Sequence, residues 1–313
     1  MLEHGGRLGE AVRRWGGARE DWLDLSTGIA PWSYPLPVPP ADVWQRLPED
    51  GDGLEAVACA YYGAVSVLMV PGSQAAIQAL PGLVPAGRVA MPAPIYAEHP
   101  AAWQRAGHAV VDWDEPADYA VLCNPNNPTG ERFSRVALLE RVRTLRLLVV
   151  DEAFIDADPA QSLAGDAADN VVVLRSLGKF FGLAGARVGC VIAPSRLLDR
   201  LRESIGPWAV SHPARWAACR ALADHDWQAA QNARLDAASA RLAELLRACG
   251  LGEVTGCALF RYVSTPDAGR IHEQLAMRGI LVRRFDVPSA LRFGLPRDED
   301  QWRKLTTCLQ EIA

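Results

Sequence analysis

From about residue 52 onward, short apolar runs alternate with segments whose apolar residues recur at helical spacing. That alternation predicts strands and helices in turn. Strands are predicted at 65–70, 88–91, 108–113, 119–123, 145–150, 171–174 and 188–193, with helices at 74–83, 97–106 and 135–144. The run 119–123 is apolar throughout and 145–150 is apolar but for Arg146 near its start, as expected of strands covered on both faces. Strands and helices in this order imply a mostly parallel sheet flanked by helices. After Ser195 the texture changes. Residues 197–204 and 213–249 read as helices, and strands follow at 258–263, 280–284 and 291–293. One helix falls between the first two of these strands, and a terminal helix starts at Asp298. The first forty-odd residues, rich in Gly, Pro and Trp, read as an irregular arm ending in Pro35-Leu36-Pro37-Val38-Pro39-Pro40. The expected class is α/β: an arm over 1–45 that joins the small domain, a large α/β domain over 46–206, and a small α+β domain over 207–313.

Composition narrows the function classes. Half of the 313 residues are hydrophobic and 22% are charged, which is ordinary for a globular chain. A net charge of −5 gives no electrostatic basis for a nucleic-acid surface. No run reaches the ~18–20 apolar residues of a membrane span. The first residues mix Glu3, His4, Arg7 and Glu10 with arginines, so neither a signal peptide nor an anchor is expected. Seven scattered cysteines without a Cys-x-x-Cys pair read as reduced thiols of a cytoplasmic protein. The six histidines show no metal-ligand spacing, and no metal is expected.

The candidate chemistry lies just after the predicted strands, where ligands of open α/β sheets collect. Val70 is followed by Pro71-Gly72-Ser73-Gln74, whose glycine, hydroxyl and helix-start N–H groups suit an anion, although the same residues make an ordinary helix cap. Cys123 is followed by Asn124-Pro125-Asn126-Asn127-Pro128-Thr129-Gly130. Asp151 ends an apolar strand, where a carboxylate without a partner would be costly. A protonated pyridine nitrogen would serve it, as would the N–H groups of the next turn. Leu174 leads into Arg175-Ser176-Leu177-Gly178-Lys179, and apolar neighbours such as Phe180 and Phe181 would make that amine nucleophilic. Only Lys179 and Lys304 are lysines in a chain holding 32 Lys and Arg residues.

Taken in order, Asn-Pro-Asn-Asn-Pro-Thr-Gly, Asp151-Glu152-Ala153-Phe154, Ser176-Leu177-Gly178-Lys179 and Gly185-Ala186-Arg187-Val188-Gly189 resemble the motifs of fold-type-I pyridoxal-phosphate (PLP) enzymes, in the histidinol-phosphate aminotransferase branch. The resemblance covers nearly the whole chain. It implies a PLP-dependent transferase fold and a set of roles. Lys179 would hold the cofactor covalently and then transfer protons. Asp151 would face the pyridinium nitrogen, Asn127 the phenolic oxygen, and Tyr96 the ring face. Gly72, Ser73, Gln74, Ser176 and Arg187 would hold the cofactor phosphate. Two positions depart from the aminotransferase pattern: Phe154 stands where many have Tyr, and Leu47 stands where an Arg-Tyr-Pro tyrosine serves the neighbouring subunit. By family analogy, a homodimer is expected.

Outside those motifs, the chain is similar to the threonine-phosphate decarboxylases of cobalamin biosynthesis. His4-Gly5-Gly6, Leu23-Asp24-Leu25-Ser26-Thr27-Gly28-Ile29, Phe154 itself, Gly206-Pro207-Trp208 and Ile280-Leu281-Val282-Arg283 carry this likeness, while Ala30 replaces an expected asparagine. The likeness implies a small phosphorylated amino-acid substrate, gripped by His4, Arg283 and Arg292. A guanidinium suits phosphate and carboxylate equally, so which anion each arginine holds stays open. Trp208 reads as a pocket wall or a buried hinge. An aminotransferase acting on histidinol phosphate shares Lys179, Asp151, Asn127 and Arg292, and a catalytically silent, partner-binding protein of the same fold is the third reading.

Overall fold

The computed structural model describes residues 3–166 and 168–312. Its strands are β1 (Leu23–Leu25), β2 (Val67–Val70), β3 (Arg88–Met91), β4 (Ala109–Asp112), β5 (Tyr119–Cys123) and β6 (Leu147–Asp151). They continue as β7 (Val171–Ser176), β8 (Gly189–Ile192), β9 (Glu253–Cys257), β10 (Phe260–Ser264), β11 (Ile280–Asp286) and β12 (Ser289–Gly294). The chain separates into two compact units. One holds the residues up to Trp32, Pro128–Glu131, and those from Ala230 onward; the other holds Ser33–Asn127 and Arg132–Ala229. The expected boundaries at 46 and 206 are thus displaced. Part of the Asn-Pro-Thr-Gly stretch belongs with the C-terminal residues, where Thr255 Oγ1 donates to Thr129 O at 2.9 Å.

The larger unit is built on a seven-stranded sheet in the order β2-β8-β7-β6-β5-β3-β4. Strands β4, β3, β5, β6 and β7 run parallel, whereas β8 is antiparallel to both β7 and β2. Every residue of β5, β6 and β7 is buried, which explains the apolar stretches Tyr119–Cys123, Leu147–Val150 and Val171–Leu174 within them, while the edge strand β4 is partly exposed. The core lies between this sheet and the helices Ser73–Ala79, Glu98–Arg105 and Ser195–Ile205, with Val70, Val121, Val172, Leu174 and Val191 inaccessible to solvent. Each such aliphatic side chain contributes about 1.5–3 kcal/mol on burial. The predicted strand from Val65 begins instead at Val67, because Val65 is 90% exposed. The long helix predicted over 213–249 is two helices, His212–Ala223 and His225–Ala248. Asp224 breaks it: its carboxylate takes the main-chain N–H of Trp227 and the hydroxyl of Tyr34.

The smaller unit carries a five-stranded sheet in the order β1-β11-β12-β10-β9, with β1 parallel to β11 and the other pairs antiparallel. Helices Ala268–Met277 and Glu299–Ile312 pack in this unit, and their buried stripes include Ile271, Leu275, Leu305 and Leu309. The arm is more regular than its composition suggests. It forms a helix over Leu8–Trp15, and Trp15 sets its ring edge-on to His272 with 5.7 Å between centroids.

Candidate active site

In the larger unit, register brings the expected residues to one sheet edge. Cys123 is paired with Asp151, Asp151 with Leu174, and Ser176 with Gly189, which also faces Val70. The loops after β2, β5, β6 and β7 therefore emerge together with the entry to β8, as the strand-end pattern implies.

Asp151 is 6% exposed and held from two sides. Its Oδ1 accepts the N–H of Ala153 at 3.1 Å, and its Oδ2 lies 3.0 Å from Nε2 of the buried His99. The sequence reading passed over His99. Its one signal in the sequence is its place three residues after Tyr96, and it lies in the first turn of the helix Glu98–Arg105 that follows β3. His99, Cys123 and Asp151 also bring donor atoms within 4.8 Å of one another, a grouping that could in principle take a metal ion. Burial and the Asp151 carboxylate hold the Cys123 thiol well above its usual range. That opposes the thiolate a metal requires, so the trio reads as support for the carboxylate.

Lys179 is half-buried, with Nζ 5.2 Å from the ring centroid of Phe154, three residues beyond Asp151. Behind it, Phe181 stacks on Trp227 at 5.8 Å and 15°. The amine thus sits over an apolar floor on the loop that Asp151 begins. Tyr96 donates its hydroxyl to Gln74 Oε1 at 3.3 Å, and burial, reinforced by Glu98 and Asp151, pushes its phenol up to about 12. It is a neutral ring at physiological pH. Gln74 also donates to Glu98 at 2.9 Å, so its side chain serves the wall of the site. Asn127 is half-buried, and its main-chain N–H points at the sulfur of Cys123.

The remaining residues assemble around Gly72. Its φ is +76°, and a Cβ there would stand 2.5 Å from Arg187 Nη2, so only glycine lets the guanidinium close on this turn. Arg187 itself adopts φ 55° and donates to Ala184 O at 3.2 Å. Beside it, a Cβ on Gly189 would come within 2.4 Å of the Ser73 amide nitrogen. Ser176 accepts the Gly178 N–H through its hydroxyl oxygen at 3.3 Å. A guanidinium, two hydroxyls and main-chain N–H groups gathered here fit a phosphate monoester. With Asp151 and Lys179 they fit PLP as a whole.

One further residue was not anticipated. Arg175, 2% exposed, donates to Glu152 at 2.9 Å and to Asp156 at 2.7 Å, with its guanidinium 4.5 Å above the ring of Tyr62. Burial raises the Glu152 carboxyl even with this arginine beside it. Arg175 clamps the loop after Asp151 to the strand that ends in Ser176.

In the smaller unit, Arg283 and Arg292 are direct cross-strand partners. Arg292, 7% exposed, donates to Ser26 O at 3.3 Å and lies 5.1 Å from the ring centroid of Phe260. Arg283 donates to Glu3 through both the carboxylate and the main-chain O, each at 3.0 Å. His4 lines a cavity of about 180 Å³ together with Arg283 and Ser26. Trp208, read as a pocket wall or a buried hinge, is 61% exposed and is no buried hinge.

The aminotransferase class I and II family model matches residues 114–307. The chain belongs to that family. Among its relatives, threonine-phosphate decarboxylase of Pseudomonas aeruginosa is 50% identical over 99% of this chain and 97% of its own length. A protein of the same name from Sinorhizobium is 41% identical, covering 99% and 98%. The solved structure of histidinol-phosphate aminotransferase from Sinorhizobium meliloti, in complex with pyridoxal-5'-phosphate, superposes with a TM-score of 0.85. It covers 99% of this chain and 95% of that one at 19% identity, a likeness of fold. Class I and II aminotransferase architecture thus accounts for the mixed sheet and for the strand-end motifs alike. No described helix is long and apolar enough to cross a membrane.

Proposed function

We propose that this chain is a PLP-dependent decarboxylase that converts L-threonine O-3-phosphate to (R)-1-aminopropan-2-yl phosphate and CO2, as a step of cobalamin biosynthesis. The observation that carries this reading is the 50% identity, over nearly the full length, to a threonine-phosphate decarboxylase. The buried acid and the lysine of the candidate site support it.

PLP supplies an electron sink for the pair left on Cα when one of its bonds breaks. We assign Asp151 to the ring nitrogen, where a fixed carboxylate favours the protonated form, with His99 fixing its orientation. Lys179 delivers the proton that replaces the lost carboxylate on Cα. Asn127 and Tyr96 are assigned to the ring, and Gly72, Ser73, Ser176 and Arg187 to the cofactor phosphate. The grip on the substrate's phosphate and carboxylate would set how the substrate is turned at the cofactor, and with it which reaction is favoured. His4, Arg283 and Arg292 are assigned to that grip because they can offer charge-assisted hydrogen bonds to both anions. We further infer a cytoplasmic homodimer, from the dispersed reduced cysteines and from family analogy.

Purified, PLP-loaded protein should release CO2 from phosphothreonine without any keto acid. Turnover that requires 2-oxoglutarate would make the enzyme an aminotransferase instead. Within the decarboxylase reading, His99→Phe should lower kcat/KM by roughly tenfold, the loss expected for one charge-assisted hydrogen bond. Unchanged kinetics would remove His99 from the site.

A further inference from the structure

We propose that Ser26, oriented by Asp24, is a positioning residue that sets His4 and Arg292 for anion recognition; this rests on the assignment of those two residues to the substrate. The Asp24-Leu25-Ser26 stretch is part of the likeness to the threonine-phosphate decarboxylases. In the structure it lies at the end of β1. Leu23 and Leu25 are buried on one side, and the Asp24 carboxylate folds forward onto Ser26. Asp24 Oδ1 accepts both the Ser26 N–H at 2.9 Å and the Ser26 hydroxyl at 2.6 Å.

That second bond decides what the hydroxyl can do. With its hydrogen committed to Asp24, Ser26 Oγ can only accept, and it accepts the Gly6 N–H at 2.7 Å. The main-chain oxygen of the same residue accepts from Arg292 Nη2 at 3.3 Å. One buried serine, 2% exposed, therefore touches both the arm that carries His4 and the strand arginine. The arm passes so closely that a Cβ on Gly5 would stand 2.2 Å from Ser26 O. His4-Gly5-Gly6 thus follows a physical requirement: the glycines let the backbone dock on Ser26, and docking fixes the histidine beside them. Replacing the hydroxyl leaves the main-chain oxygen available to Arg292 and releases the arm. The loss should therefore appear through His4.

The test uses the full-length, PLP-loaded enzyme. Ser26→Ala should lower kcat/KM for phosphothreonine by about tenfold, mainly by raising KM. It should leave the visible absorbance of the bound cofactor unchanged and should speed hydrogen exchange at Gly6. Combined with His4→Ala, it should cost no more than the worse single change, because both remove the same contact. Asp24→Asn, which keeps an acceptor oxygen, should stay within about twofold of the parent, while Asp24→Ala should behave as Ser26→Ala. If Ser26→Ala fails to fold, Gly5→Ala disturbs the same docking from the other side and should raise KM likewise. Wild-type kinetics in these variants, fold-losses that multiply with His4→Ala, or unchanged exchange at Gly6 would overturn the proposal. A parent enzyme that releases no CO2 would instead sink the decarboxylase reading.

Discussion

Replacing Lys179 with alanine is expected to lower CO2 release from phosphothreonine by about 10³-fold or more and to remove the visible absorbance of the bound cofactor. The size follows from the absence of a substitute. The chain has one other lysine, Lys304, and it lies in the other compact unit, with Nζ donating to the main-chain oxygens of Asp21 and Gly279. Among the residues assigned to the site, none but Lys179 carries a primary amine. Lys304→Ala provides the control and should retain the activity of the parent. Full activity in Lys179→Ala would mean that the amine over Phe154 takes no part.

Arg175→Ala is expected to destabilise the larger unit by about 3–5 kcal/mol, read from the midpoint and slope of a urea titration. The guanidinium is the shared partner of Glu152 and Asp156, all three side chains being at most 3% exposed. Without it, two carboxylates stand buried side by side, with Ser162 and the Leu163 N–H left to hold Glu152 and Tyr61 left to hold Asp156. Replacing all three ionic groups together, as Glu152→Gln, Asp156→Asn and Arg175→Met, should recover most of the loss, because no unpaired charge then remains in the interior. A loss below about 1 kcal/mol in Arg175→Ala would show that water or relaxation reaches the clamp.

The parallel core of the larger unit is legible in sequence because two-face burial leaves a continuous apolar run, as in Tyr119–Cys123 and Val171–Leu174. The strand ends are legible for the same reason, since polar residues resume where the run stops. Elements that depend on distant partners leave no such trace. β1 is three residues long and exists because it pairs with Ile280–Val282, more than two hundred residues away. β9 carries a glycine and exposed polar residues and is held by pairing with β10. The Leu8–Trp15 helix was hidden by the glycines around it. In the site, Asp151, Lys179 and the Gly72 turn could be named from local chemistry. His99 and Arg175 could not, because an isolated histidine or arginine on a helix or strand shows its meaning only through the carboxylates it meets. The domain limits were equally hidden: no change of composition marks the return of Pro128–Glu131 to the smaller unit.

The most direct test of the account is to fix the cofactor to the protein by borohydride reduction of the PLP-loaded enzyme and map the modified peptide by mass spectrometry. The account predicts the added pyridoxyl-phosphate mass on the peptide containing Lys179 and none on that containing Lys304. Label on Lys304 alone, or no label in protein that binds the cofactor and turns over substrate, would contradict it.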